Sequence, residues 1–449
     1  MISLARKLRL ADFFSLGFGT MVGVGWLVVM DDWLGRGGPA GVALAFLIGG
    51  AALLPIGVVY GYLVKTIPDA AAEIAYTAAV FPRSISYATG WMMLLAYYIV
   101  CPWEAVAIGR IAGYLFPTLN TIELYRVAGR PVFLPHLAIG LALTALITYL
   151  NYRGIRLSAT LQNWTTFAVL GLTIGFISAG VSHGSPHNLL PLFNGPALIS
   201  IVLVLQVVPY FMTGFESIGK ASEEASTEFQ PQRFMLAILL AIVVGALFYA
   251  TITLSVAYVS PWQSLLHQNF ATAVAFKHAL RSEWIVRVIM ATALLSLIKI
   301  FNGNFIAASR LLFGMGRRGL ANERLAHVHP RHHTPSIAVI WLGIATGLFM
   351  FAGQSILVPI TEVGSLASLL GWMASCAAYT RMQSSSLGRL AAIIGLIMSS
   401  LLLLMKLLPQ VPGHFDRYEF GALAVWILIG GVLHRRARAH TAPVASRQT

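Results

Sequence analysis

Twelve stretches of the chain are apolar over the length of a bilayer crossing, at approximately 11–35, 39–63, 85–116, 132–150, 157–180, 197–221, 234–259, 284–316, 335–353, 355–380, 387–408 and 418–434. A helix needs about 20 mostly apolar residues to cross the hydrocarbon, so this succession predicts an all-α integral membrane protein of about twelve transmembrane helices. The runs on either side of Ala352-Gly353-Gln354 also read as one long span, which makes twelve a choice between two counts. Composition points the same way. Only 10% of the 449 residues are charged, against about 25% in soluble proteins, too few to clothe a water-soluble surface.

The net charge of +14 would suggest a nucleic-acid partner in a soluble chain, so where the charges fall decides what it means. With the N-terminus cytoplasmic, that side collects 20 Lys and Arg, among them Arg6, Lys7, Arg9, Arg317, Arg318, Arg435, Arg436, Arg438 and Arg447, and the other side collects 7. The basic excess therefore reports orientation, with residues 1–10 and 435–449 as cytoplasmic tails of a protein in the cell membrane. No nucleic-acid partner is needed to explain it. Cys101 and Cys376 both sit in apolar runs, which argues against a disulfide scaffold or a Cys-rich metal site. The first apolar run continues to about residue 34 without a small-residue cleavage pattern and is expected to stay as a transmembrane helix.

Two runs are interrupted. Gly17, Gly19, Gly23 and Gly25 fall within nine positions of the first, and each costs roughly 1 kcal/mol relative to Ala inside a helix. A break near Val22 to Gly25 would expose N–H groups suited to a carboxylate and C=O groups suited to an ammonium, at a depth where bare backbone persists only beside a cavity or inside protein. The same glycines also suit close helix packing. The sixth run carries Pro209, Gly214 and the ionisable Glu216 within Pro209-Tyr210-Phe211-Met212-Thr213-Gly214-Phe215-Glu216. Interruptions in runs one and six are what an inverted repeat of five plus five helices would show.

At these residues the chain resembles the amino acid–polyamine–organocation (APC) permeases. Gly19-x-x-Val22-Gly23-x-Gly25 is similar to their glycine motif, and Asn151-x-x-Gly154 with Gln162 and Thr166 to their signature between spans four and five. Further similarity lies in Gly214-Phe215-Glu216 with Glu223-Glu224, and in Ser309-Arg310 with Gly319-Leu320 and His329-Pro330. The chain departs from the pattern at Ala71-Ala72, usually Gly-Gly, and at Arg318, often Asp. The resemblance implies a LeuT-like core over 11–381, with inverted repeats at about 11–180 and 197–381, broken helices 1 and 6, and two peripheral helices at 387–434. It implies a secondary transporter moving amino acids by alternating access, coupled to protons or to a counter-substrate, with a polyamine or organic-amine permease as the alternative. Carried over by residue, Val22, Gly23, Val24 and Gly25 would meet the substrate carboxylate, and Tyr210, Phe211, Met212 and Gly214 would line the opposite wall. Trp26, Tyr210 and Phe211 would gate the site.

Three ionisable groups lie within the runs. Glu104 is a candidate for contact with substrate or a proton, or for a structural pair with Arg110 or Lys299. Many coupled members of the family carry a Lys in the fifth span, but the corresponding position here is near Val169 and that run has no Lys. Lys299 in the eighth run, with Ser296 one turn away and Glu216, is the candidate coupling group; the alternative is a static pair with Glu104 or Glu216. No cofactor or metal is expected: His327, His329, His332 and His333 stand among arginines in a loop suited to lipid headgroups. With no Walker loop, H-E-x-x-H helix or Gly-x-Ser-x-Gly elbow, an enzyme is not expected.

Overall fold

The computed structural model describes residues 3–127, 129–382, 385–411 and 414–441. Residues 442–449 of the expected C-terminal tail, Arg447 among them, lie outside the described residues. The first run forms α1 (Leu10–Met21) and α2 (Gly25–Val28), separated by an extended Val22. α3 (Met30–Thr66) holds the end of the first run and all of the second, divided at Gly38, whose φ of 65° turns the chain before Pro39. After a short α4 (Glu73–Ala78), α5 (Arg83–Tyr98) and α6 (Val100–Leu115) make up the third run. They part at Ile99, where Pro102 has no N–H to give the carbonyl one turn back.

An antiparallel hairpin of β1 (Glu123–Val127) and β2 (Arg130–Phe133) follows, with Val127 opposite Arg130 and Tyr125 opposite Val132. This corrects the all-α expectation locally: Tyr125, Val127, Val132 and Phe133 favour a pleated strand, but the segment is too short to register beside the apolar runs. α7 (Leu134–Arg153) and α8 (Ile155–Val181) follow. The sixth run breaks into α9 (Ala197–Leu205), α10 (Val208–Met212) and α11 (Ser217–Lys220), with a bend of 50° after α9. Pro209 again removes a donor there. Then come α12 (Arg233–Val259), α13 (Ala271–Leu280), α14 (Glu283–Arg317), α15 (Ser336–Phe349), α16 (Gly353–Arg381), α17 (Ser386–Leu407) and α18 (Arg417–Thr441). The last is helical past the expected end at 434, through Arg435, Arg436 and Arg438.

Among the described residues eight helical segments are long and apolar enough to cross a membrane, and nine if α9 to α11 form one bent span. The molecule is therefore a multi-pass helical membrane protein. Around α1 pack α8, α12 and α14; α3 lies along α9 and α12, and α16 lies between α5 and α17. These contacts leave the interruption of α1 and α2 facing α6, α14 and the broken sixth run.

Candidate functional site

Breaking a helix strands the carbonyls of its last turn. In lipid each would cost several kcal/mol, and here side chains meet those of Thr20, Met21, Val22 and Gly23. Asn304 Nδ2 donates to the Thr20 carbonyl at 3.3 Å, and the Tyr249 hydroxyl to that of Met21 at 3.3 Å. Ser296 Oγ reaches the carbonyls of Val22 (3.3 Å) and Gly23 (2.9 Å), and Lys299 Nζ also donates to the Val22 carbonyl. The Lys299 ammonium further lies 4.9 Å from the Phe18 ring centroid. These carbonyls, expected from sequence to suit a substrate ammonium, are thus met by the protein's own side chains, with Lys299 on that of Val22 at the negative end of the α1 dipole.

On the other side of the break is a cavity of about 280 Å³. Of the expected site residues, Gly23, Val24, Gly25, Glu104, Tyr210 and Phe211 line it. A Cβ on Gly23 would lie 3.5 Å from Glu104 Oε1, and Glu104 Oε2 is buried with no hydrogen-bond partner among the described residues. Among the described residues Lys299 pairs with neither Glu104 nor Glu216, and Glu104 makes no ion pair with Arg110. The Phe211 ring packs directly over Gly25 and meets Trp33 edge-on at 4.8 Å; Trp33 in turn packs on Phe46 and Tyr249.

Other expected residues stand elsewhere. Val22 faces α14 through its carbonyl, and Met212 is buried toward Gly50 of α3. Gly214, at φ 136°, lets the sixth run cross the end of α1: a Cβ there would sit 2.7 Å from Met21 N. Trp26 is buried behind the wall, stacked on Phe176 at 5.9 Å. Glu216 is not with Ser296 and Lys299; its Oε2 accepts from the Gly214 N–H at 3.0 Å and caps the second break. Sequence reasoning missed Thr20, Trp33, Thr213, Asn304, Ser365 and Ser368, all in the lining. Asn304, five residues beyond Lys299, and the Ser365/Ser368 pair at helical spacing are the signals that could have found them.

The cavity reaches Asp32, Arg36 and Glu362 on the hairpin-bearing face. Asp32 and Arg36 pair at 2.7 Å, and Glu362 is held by Lys406 of α17 at 2.7 Å. Toward the opposite face the molecule is sealed. Arg310 and Glu224, both fully buried, make a two-point pair of 3.0 and 2.9 Å, the geometry in which an arginine fork matches a carboxylate. Lys220 pairs with Glu73 and donates to the Tyr97 hydroxyl at 3.0 Å. Asp69 is joined to Arg317 (2.8 Å) and Arg318 (2.7 Å). Burial pushes the Asp69 carboxyl up, but the Arg317 charge and the Ala71 N–H outweigh it and hold the group below its ordinary value.

The sequence also matches the family model described as amino acid permease over residues 8–433. It is 24% identical to the branched-chain amino acid permease BcaP of Bacillus subtilis (strain 168), over 82% of this chain and 78% of that one. With the methylthioribose transporter of the same organism it shares 26% identity over 82% and 79% of the two chains. With its aspartate-proton symporter the identity is 24% over 81% and 71%.

Proposed function

Because the chain belongs to the amino acid permease family, we propose that it carries amino acids across the cytoplasmic membrane as a secondary transporter, by alternating access at the cavity between the two broken runs. The observation that carries this is the cavity itself: unwound backbone at Gly23 and Val24 on one side, Thr213 and Phe211 on the other, and one buried carboxyl, Glu104, whose Oε2 has no hydrogen-bond partner among the described residues. N–H groups at the start of α2 take the substrate carboxylate. With the carbonyls of Val22 and Gly23 already filled, Glu104 takes the ammonium, and Tyr210 and Phe211 close over the side chain. At about 280 Å³ the space lies at the small end of the ~300–1,000 Å³ typical of small-molecule pockets, which suits a single amino acid.

The proposed frame is a twelve-span LeuT-like fold, with a core over 11–381 in repeats of about 11–180 and 197–381 and peripheral helices over 387–434. Both termini are cytoplasmic and the hairpin is outside. Lys299 with Ser296 is the proposed coupling pair, driven by protons or by exchange. A second reading, transport of polyamines or other amines, is favoured by the three carboxylates Asp32, Glu104 and Glu362 in the lining. Uptake of radiolabelled alanine, lysine and putrescine into proteoliposomes separates the two: alanine uptake competed by neutral amino acids and not by putrescine supports the first, and the converse supports the second.

A further inference from the structure

A second cavity, of about 690 Å³, lies on the hairpin-bearing face and shares Val28 and Val29 with the transport cavity. Its charged lining is of one sign: Arg110 from α6 and Arg130 from β2, with the His136 imidazole from the first turn of α7 beside them and no Asp or Glu among the lining residues. Arg110 and Arg130 line the same space, and neither has a carboxylate within 4.0 Å among the described residues. The hairpin's own acidic residue, Glu123, is taken by Arg126 at 2.7 Å. His136 Nε2 is buried without a hydrogen-bond partner among the described residues.

Two solvent-exposed guanidinium groups with no carboxylate partner among the described residues line one space, and like charges gathered in one cleft attract an anion. Their fork geometry matches the two oxygens of a carboxylate. Val132, Phe133 and Met350 give the same space an apolar side, so the fitting ligand has a short hydrocarbon body. We propose that this vestibule is a binding site for a small aliphatic carboxylate, held between Arg110 and Arg130 and separate from the cavity beside Gly23. The hairpin's role is then to carry Arg130 over the vestibule. The site goes beyond the transport reading and does not depend on it.

The test is thermal unfolding of the full chain in detergent micelles, titrated with sodium butyrate, against sodium chloride and butylammonium chloride at equal ionic strength. Butyrate is expected to raise the unfolding temperature saturably and the two controls not to. Arg110→Gln and Arg130→Gln, each with an unliganded unfolding temperature like the parent's, are expected to weaken the butyrate midpoint about tenfold or more, as loss of one charge-assisted contact implies. An unchanged midpoint in both variants, or an equal response to chloride, overturns the assignment. Displacement of butyrate by alanine supports the site with an amino acid as its occupant, and undisturbed butyrate binding supports it with another organic acid. Binding is read without a gradient, so failed uptake leaves this site standing and failed binding leaves the transport reading standing.

Discussion

Lys299 and Glu104 are buried ionisable groups on opposite sides of one short unwound segment, and their surroundings assign them different work. Lys299 substitutes for missing backbone donors. Lys299→Met leaves Ser296 alone on the Val22 carbonyl, and losing one such buried contact is expected to cost about 1–3 kcal/mol, seen as a lower unfolding temperature in micelles. Uptake should fall as well; residual uptake that still follows an imposed proton gradient would remove Lys299 from coupling. Glu104 has nothing comparable to hold in the empty protein. Glu104→Gln keeps the volume and removes the ionisable group, so the unfolding temperature should move little while KM for uptake rises about tenfold, equivalent to about 1.4 kcal/mol. A KM equal to the parent's excludes the ammonium contact.

At the level of helices, the two interruptions depend on one another, because Gly214 lies against the end of α1. Gly214→Ala puts a methyl 2.7 Å from Met21 N at a φ of 136°, combining backbone strain with overpacking at roughly 1–3 kcal/mol. The expected result is an unfolding temperature several degrees lower. Gly171→Ala in α8 is the control: nothing lies within 4 Å of a Cβ there, and exchanging Gly for Ala in mid-helix gains roughly 1 kcal/mol. The interruptions themselves were legible in the sequence, since glycine density and Pro209 act locally. Their caps were not: Tyr249, Ser296 and Asn304 reach carbonyls 228 to 284 residues away in the chain, and no spacing rule relates them. The same holds for Met212 and Trp26, whose place in a broken segment says nothing about which way each side chain turns. The hairpin was lost for another reason, its strands being five and four residues long beside runs several times that length.

For the whole molecule, one face is closed by paired charges and the other admits solvent to the cavity. Asp32→Cys, with the buried Cys101 and Cys376 replaced by Ala, should react with a membrane-impermeant maleimide added outside cells, and substrate should slow the reaction. Labelling only after the cells are opened would reverse the assigned orientation. The closed face also has a pH signature. Folded Asp69 gives up its proton more readily than it does in the unfolded chain. Its contribution is therefore complete above about pH 4 and fades as pH falls through its lower folded value. The gap in unfolding temperature between the parent and Asp69→Asn should accordingly be constant from pH 7 to 5 and shrink below about pH 4. Beside these charges runs a strip of backbone pairing. The N–H groups of Lys7 and Leu8 donate to the Glu224 carbonyl at 2.8 Å, the Ser226 N–H donates to the Leu8 carbonyl at 2.9 Å, and Leu8 bridges Ala225 in parallel. Glu224 is also the partner of Arg310, so the leading segment and the buried ion pair share one residue. On the proposed alternating-access cycle that segment is expected to act as a zipper pull, peeling away as this face opens, and a spin label at Ser3 read against one at Ala225 would follow each cycle as a change in distance.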